Sequence, residues 1–316
     1  MVEPETGGEP GTELAAEEGP TRCGFVALMG APNAGKSTLT NALVGAKVSI
    51  VSPKVQTTRA RMTAIGLHGN SQIVFVDTPG IFRKAERRLE RAMVDAAWSG
   101  AENADIRLLL IDAERGRSAD VDAILAGLRA AGSDAILVLN KIDRVKRETL
   151  LSLSAALNEA APFSETFMVS ALTGDGVPDL LQFLAAHVPE GPWHYPEDQL
   201  ADIPQRLLAA EITREQIFLQ LHQELPYAIT VETESWKQQR DGGIRIQQVI
   251  YVRRDSQKAI VLGKGGRQVQ EIGRKAREQL IEMLGCPVHL FLFVKVRDNW
   301  QDDPARYREM GLDFPL

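Results

Sequence analysis

Between residues 23 and 190, short apolar runs alternate with longer stretches whose apolar residues recur every three or four positions. The runs predict strands near 25–29, 61–67, 72–76, 106–111, 135–139 and 166–169. Strands apolar on both faces and separated by amphipathic helices predict a doubly wound α/β sheet with helices on both sides. In such a sheet the loops leaving the C-terminal strand ends gather along one edge, where ligands bind.

The alternation stops at residues 189–198, PEGPWHYPED, whose prolines, glycine and aromatics predict a linker. Beyond it the pattern predicts a helix over 203–224 and strands over 227–236 and 244–254, joined through Asp241-Gly242-Gly243. A short helix over 256–262, the loop GKGG at 263–266, a longer helix over 267–284 and a strand over 288–296 complete it. The order α-β-β-α-α-β with G-x-x-G between paired helices is the arrangement of a type II KH RNA-binding domain, an α+β fold. The expected organisation is therefore a tail at 1–22, a nucleotide-binding domain at 23–190, a linker at 191–198 and an RNA-binding domain at 199–316.

The chemistry sits at the predicted strand ends. Gly30 to Ser37, GAPNAGKS, follows a strand and opens a helix, the setting in which G-x-x-x-x-G-K-[ST] cradles phosphates on backbone N–H groups. Gly30 and Gly35 let the loop curl, with Ala31, Pro32, Asn33 and Ala34 between them and Thr38 just beyond. Lys36 reaches the β- and γ-phosphates, and Ser37 offers a hydroxyl to Mg2+. A second hydroxyl for the metal comes from Thr57 or Thr58 of QTTR, with Thr58 preferred. Asp77 ends the run 73–76 and opens DTPG, so its carboxylate can hold a metal-bound water. The N–H of Gly80, after Thr78 and Pro79, can sense the γ-phosphate. Lys36, Thr58 and Gly80 are the expected catalytic residues, and Ser37, Thr58 and Asp77 the expected metal ligands. Residues 46–59 and 80–90 fall where a γ-phosphate would order them.

Base choice falls to NKID, Asn140, Lys141, Ile142 and Asp143, after the run 135–139. An ionised carboxylate only accepts hydrogen bonds, so Asp143 suits the N1–H and N2–H2 edge of guanine and leaves adenine unmatched. Ser170-Ala171, after 166–169, is expected to offer a backbone N–H to guanine O6. A Ras-like chain would carry Gln after Asp-x-x-Gly to orient water, but Ile81 stands there, so slow intrinsic hydrolysis or another way of placing water is expected. Asn33 either stabilises the loop's turn or helps hold a monovalent cation, K+, beside the phosphates.

Composition narrows the class. The 316 residues are 44% hydrophobic and 25% charged, ordinary globular material with room for two domains. Cys23 and Cys286 are too few for a disulfide framework or zinc site and read as free thiols of a reducing compartment. The five histidines lack metal-ligand spacing. No run approaches the roughly 20 apolar residues of a membrane span, and the N-terminus shows no basic segment followed by an apolar one. Residues 1–22, rich in Glu, Gly, Pro and Ala, read as a disordered acidic tail.

The formal net charge of −6 conceals a basic region. From 253 to 277, Arg253, Arg254, Lys258, Lys264, Arg267, Arg274, Lys275 and Arg277 outnumber Asp255 and Glu271 by six. Gly263, Lys264, Gly265 and Gly266 let a nucleic-acid backbone approach closely, and Arg267, Arg253, Lys258 and Arg274 are the expected RNA contacts beside them. On the longer helix Val269, Ile272, Ala276, Leu280 and Met283 share one face and are expected as core, with Arg267 and Arg274 opposite.

GAPNAGKS, QTTR, DTPG, NKID and SALTG, followed by VLGKGG and the terminal FVKVRDNW, resemble the bacterial Era-type GTPases from residue 23 to the C-terminus. The resemblance implies a GTPase that binds GTP, GDP and Mg2+, binds the 3′ end of 16S ribosomal RNA and assists maturation of the 30S subunit. It further implies a monomer in the cytoplasm with a peripheral, inner-membrane-associated fraction, and a family without the Ras-type Gln. A related tRNA-modification or tandem-domain GTPase fits less well, because there is one nucleotide domain and a C-terminal G-x-x-G. A pure RNA-binding scaffold is disfavoured by intact Lys36, Ser37, Asp77 and Asp143.

Overall fold

The computed structural model describes residues 19–52, 58, 62–81, 88–202, 204–221, 225–310 and 312–315. The apolar runs become the strands of a seven-stranded sheet: β1 (Arg22–Gly30), β2 (Met62–His68), β3 (Ser71–Asp77), β4 (Ile106–Asp112), β5 (Ala135–Asn140), β6 (Phe163–Val169) and β7 (Ala201–Asp202). Their order is β6-β5-β4-β1-β3-β2-β7. The pairs β1–β3, β1–β4, β4–β5 and β5–β6 are parallel, whereas β2 runs antiparallel to β3 and to β7.

Helices α1 (Lys36–Val44), α2 (Arg88–Glu102), α3 (Ala119–Ala131), α4 (Arg147–Ala160) and α5 (Val177–His187) cover the two faces. Successive residues of a strand point to opposite sides, so β1 feeds both cores. Val26 and Leu28 pack with Leu39, Leu43, Leu180 and Leu184, and Ala27 and Met29 pack with Ala97, Ile124 and Leu128. This double burial is why inner strands read as unbroken apolar runs. β1, β3 and β5 end at Gly30, Asp77 and Asn140, which places the three loops with expected phosphate, metal and base chemistry on one edge.

Two features differ from the expectation at the borders. Arg22, the last residue of the expected tail, begins β1 and pairs with Glu190 at 2.9 Å; residues 1–18 of that tail lie outside the described residues. The linker is strapped to the first domain: Gln72 donates to the Tyr195 carbonyl (2.8 Å) and accepts from the N–H groups of His194 and Tyr195 (2.9 and 3.0 Å). Residues beyond 198 continue this attachment, because Ile65 N–H donates to the Leu200 carbonyl and β7 extends the sheet.

The second unit comprises α6 (Gln205–Gln220), β8 (Thr230–Gln238), β9 (Ile244–Val252), α7 (Asp255–Leu262), α8 (Arg267–Leu284), β10 (Val288–Val296) and α9 (Pro304–Glu309). Its sheet has the order β10-β9-β8, with β8 antiparallel and β10 parallel to β9. Helix α6 falls within the expected 203–224, of which 203 and 222–224 lie outside the described residues. β8 starts at Thr230, later than expected, because Leu225–Ala228 forms a 3-10 turn.

Helix α6 is buried on every side from Ala209 to Phe218. Buried polar groups need partners, and they have them: Arg214 pairs with Glu211, and Thr213 donates to the Gln248 amide oxygen at 2.6 Å. The C-terminal segment packs back onto the first domain. Trp300, fully buried, and Tyr307 join Leu89, Ala92 and Met93 of α2 in one cluster. Arg88 pairs with Asp302 at 3.2 Å and lies over the Phe314 ring.

Candidate nucleotide and nucleic-acid sites

The phosphate loop is shaped by two close approaches. Gly35 adopts φ 98°, and a Cβ there would lie 2.2 Å from Asn140 Nδ2. Asn33 takes the left-handed conformation (φ 64°). The turn delivers Lys36 to the start of α1, where the first N–H groups of a helix have no intrahelical acceptors and face the loop. Pro32, Asn33, Gly35, Lys36, Ser37 and Thr38 line one cavity, closed by Ile50, Thr58 and Gly80.

Lys36 is buried; its Nζ donates to the carbonyls of Gly30 (3.0 Å) and Ala31 (3.2 Å). Burial pushes its ammonium down to about 8, with Asp77 opposing the shift. The three expected metal ligands are together. Ser37 Oγ lies 2.8 Å from Thr58 Oγ1 and donates to Asp77 Oδ2 at 2.9 Å, and Thr58 Oγ1 lies 3.4 Å from the same oxygen. Asp77 is wholly buried, which raises its pKa, and its Oδ1 has no hydrogen-bond partner among the described residues. A buried carboxylate oxygen left over beside two hydroxyls is the oxygen-rich chemistry Mg2+ requires. Gln56, Thr57 and Arg59 of QTTR lie outside the described residues, as do 53–55 of the stretch 46–59 and 82–87 of the stretch 80–90 that a γ-phosphate is expected to order.

DTPG divides its labour. Gly80 packs against Pro32, and its N–H has no partner among the described residues. Thr78 and Ile81 turn away: the Thr78 hydroxyl donates to the Leu28 carbonyl at 2.7 Å, and Ile81 joins the core with Ala27, Met29 and Ala97. Both positions are among the expected nucleotide contacts (Asp77 to Ile81), and their side chains are engaged in the protein.

The base loops are tied to the phosphate loop through Asn140. Its Nδ2 donates to the Ala34 carbonyl (2.9 Å), while its Oδ1 accepts from the N–H groups of Lys141 (2.8 Å) and Ala171 (3.0 Å). The N–H of Ser170 donates to the Asp175 carbonyl. Neither amide of Ser170-Ala171 is therefore spare for guanine O6; the next, Leu172 N–H, has no partner among the described residues. Ser170 acts instead through its hydroxyl, which donates to Asp143 Oδ1 at 2.6 Å and orients that carboxylate. Sequence reasoning also missed Asp112, whose carboxylate receives Lys141 Nζ at 2.5 Å and so anchors the lysine of NKID to the end of β4. Its position at the end of β4, matching Asp77 on β3 and Asn140 on β5, was the available signal.

In the second unit, GKGG turns through positive φ at Gly263, Gly265 and Gly266 (68°, 63° and 78°). Open space surrounds Gly265 and Gly266, so a chain can approach the loop backbone. A groove beside it runs between α8 and the edge strand β10, lined by Val269, Gly273, Arg277, Phe291 and Phe293 among others. Both phenylalanines are exposed, and Arg245 lies over the Phe291 ring. The expected apolar stripe divides: Ile272, Ala276 and Leu280 are core, but Val269 also lines this groove.

The basic residues divide too. Arg253, Lys258, Lys264 and Arg267 have no ion-pair partner among the described residues. Arg274 is bound on both sides by Glu271 (2.6 Å) and Glu278 (2.7 Å), which hold its guanidinium further into the charged range. Glu278 lies one residue beyond the basic run, so the local excess of positive charge near Arg274 is smaller than the run suggests.

Residues 25–141 match the family model described as 50S ribosome-binding GTPase, and residues 224–301 match the KH domain model. GTPase Era of Sinorhizobium medicae is 63% identical over 303 residues, covering 96% of this chain and 97% of that protein. The chain belongs to the GTPase Era family. A second Era relative, from Agrobacterium fabrum, is 64% identical over 296 residues, 94% of this chain and 93% of its own. Two solved Era structures, each 37% identical, cover 94% of this chain and all of their own. One is an Aquifex aeolicus Era variant bound to GDP·AlF4− (TM-score 0.87), the other Era with MgGDPNP and nucleotides 1506–1542 of 16S ribosomal RNA (TM-score 0.88). The Era architecture, a P-loop GTPase followed by a KH domain, is thus the fold found here.

Proposed function

We propose that this chain binds and hydrolyses GTP as a switch controlling its attachment to the 3′ end of 16S ribosomal RNA during assembly of the 30S subunit. The observation that carries the reading is the meeting of Ser37, Thr58 and Asp77 within 3.4 Å beside buried Lys36. Thr58 belongs to a segment that a γ-phosphate can hold or release, so the cluster distinguishes triphosphate from diphosphate.

In this reading residues 23–190 form the GTPase domain, 191–198 the connection and 199–316 the RNA-binding domain. The P-loop N–H groups and Lys36 bind the β- and γ-phosphates, Gly80 N–H senses the γ-phosphate, and Asp143, oriented by Ser170, selects guanine. Ser37, Thr58 and Asp77 would hold Mg2+, which supplies charge neutralisation for phosphoryl transfer. With Ile81 in the core, Asn33 is assigned to a K+ site that would take the place of a water-orienting side chain. Faster turnover in potassium than in sodium buffer supports this assignment; equal turnover leaves Asn33 as a turn residue.

The GKGG loop with Lys264, Arg267, Lys258 and Arg253 holds the RNA backbone, and Phe291 and Phe293 offer stacking surfaces in the adjoining groove. None of the described helices is long and apolar enough to cross a membrane. We assign a cytoplasmic monomer, with a peripheral membrane fraction carried by the same basic surface; flotation with anionic vesicles tests that fraction. The function itself is tested by ultraviolet crosslinking of the full chain with GDPNP or GDP, using Gly265→Asp as control. Crosslinks at the 3′ end of small-subunit RNA, stronger with GDPNP and lost in the variant, are expected; their absence in both states would overturn the RNA assignment.

A further inference from the structure

Residues 46–52 leave α1 and lead to Thr58, and they are held from two sides. Asn41 of α1 accepts from the N–H groups of Val48 and Ser49 (2.9 and 2.8 Å) and donates to the Ser49 carbonyl (2.8 Å). The other hold comes from the second domain. Glu215 of α6, its side chain only 3% exposed, accepts from Lys47 Nζ through Oε2 (2.6 Å) and from Val51 N–H through Oε1 (2.8 Å). Gln279 of α8 reaches the same pair: the orientation of its side-chain amide that satisfies its neighbours puts the nitrogen 3.2 Å from Glu215 Oε2 and the oxygen 3.3 Å from Lys47 Nζ.

We infer that Glu215 is a positioning residue through which the RNA-binding domain sets the geometry of the metal-binding Thr58. Three observations support this. Val51 lines the same cavity as Thr58 and Ser37, so fixing its N–H fixes one wall of the pocket to which all three belong. Both carboxylate oxygens are spent on residues 46–52, one on the Lys47 ammonium and one on the Val51 backbone N–H, which fixes where the chain runs and not merely its charge. Gln279 lies on the helix that GKGG opens, so a shift of α8 is felt at Glu215.

The clamp spans a gap. A cavity of about 390 Å3, lined by Val48, Ile50, Leu208, Ile212 and Met283 among others, separates the domains beside it. A junction held by charge-assisted hydrogen bonds beside a cavity can exchange arrangements more readily than a close-packed core. RNA bound at GKGG and triphosphate bound at Thr58 then favour the same arrangement, and each tightens the other by an equal factor.

This inference rests on the GTP-switch reading and is tested in the full-length chain with fluorescent GDP and GDPNP plus Mg2+, with and without an RNA copy of the 16S 3′ end. Glu215→Ala is expected to leave GDP affinity within about twofold and to lower GDPNP affinity about tenfold, because only the triphosphate state needs Thr58 in place. RNA should tighten GDPNP binding to the wild type and not to the variant. Glu215→Gln, which keeps an acceptor for Val51 N–H, should fall between, and Lys47→Met should resemble Glu215→Gln. Circular dichroism separates misfolding from uncoupling, and a folded Glu215→Gln keeps the test open if Glu215→Ala does not fold. If the wild type binds no guanine nucleotide, the switch reading itself fails. If it does, and folded variants keep the wild-type GDPNP-to-GDP ratio and RNA response, the Glu215 assignment fails alone.

Discussion

Asn140 Nδ2 donates to the carbonyl of Ala34 at 2.9 Å and occupies the space a side chain on Gly35 would need. The base-selecting loop and the phosphate loop are thereby tied to one another by groups of the protein itself. A tie of this kind lowers the cost of ordering two loops around a ligand.

Gly35→Ala should break that tie. The new methyl group would stand 2.2 Å from Asn140 Nδ2 in a backbone conformation with φ 98°, and both strain and overlap apply. A loss of about 2–4 kcal/mol is expected, shared between stability and binding. Thermal unfolding and GDP titration should both register it.

Asp143→Asn should exchange guanosine for xanthosine nucleotides. The carboxylate accepts the Ser170 hydroxyl with Oδ1 and keeps further acceptor capacity for the base. An amide offers a donor where guanine also donates, which is expected to lower GTP affinity by about 10²-fold or more. Competition between GTP and XTP against fluorescent GDP measures the change, and unaltered GTP affinity would remove Asp143 from base recognition.

Nucleotide affinity should fall as pH rises above about 8, the value to which burial pushes Lys36. Polyphosphate favours the ammonium, so above that pH binding must take up a proton, and affinity drops by up to about tenfold per pH unit. Below pH 8 this group contributes no slope. Stability of the free protein moves the opposite way. Between about 8 and the ordinary lysine value of 10.5 the unfolded chain holds a proton that the folded chain lacks, so stability rises with pH. GDP titrations and denaturant midpoints from pH 7 to 9.5 check both signs.

Most of the nucleotide site was legible because a parallel sheet imposes a simple grammar. Inner strands such as Ala135–Asn140 are apolar up to their last residue, and the first polar residue at the C-terminal end faces the ligand edge. Reading residue by residue failed where the roles of neighbours decide. Ile81 follows the motif yet faces the core, and the Ala171 N–H is consumed by Asn140. β7 has two residues and no periodicity to detect. Glu215 looks like one polar residue of an amphipathic helix, and only the docking of two domains around α6 buries it. Arg274 shows the same limit: Glu278, four residues on, neutralises a charge that counting assigned to RNA.

Gly265→Asp should separate the two activities. Nothing lies within 4 Å of a Cβ at this position, and Asp is among the residues that tolerate its left-handed backbone (φ 63°), so the strain is expected to stay local and the fold to survive, while a carboxylate enters the space where an RNA backbone would approach. RNA affinity should fall at least about tenfold and become less salt-dependent, with GDP affinity unchanged. Equal RNA binding by variant and wild type would move the interface away from GKGG.

The account stands most directly on one equilibrium: the affinity of full-length protein for the 16S 3′-end RNA, measured at fixed salt with saturating Mg·GDPNP and then with GDP. The expected result is tighter RNA binding in the triphosphate state, by about 5-fold or more. Equal affinities in both states would leave a GTPase and an RNA-binding domain joined in one chain without a switch between them, contradicting the account.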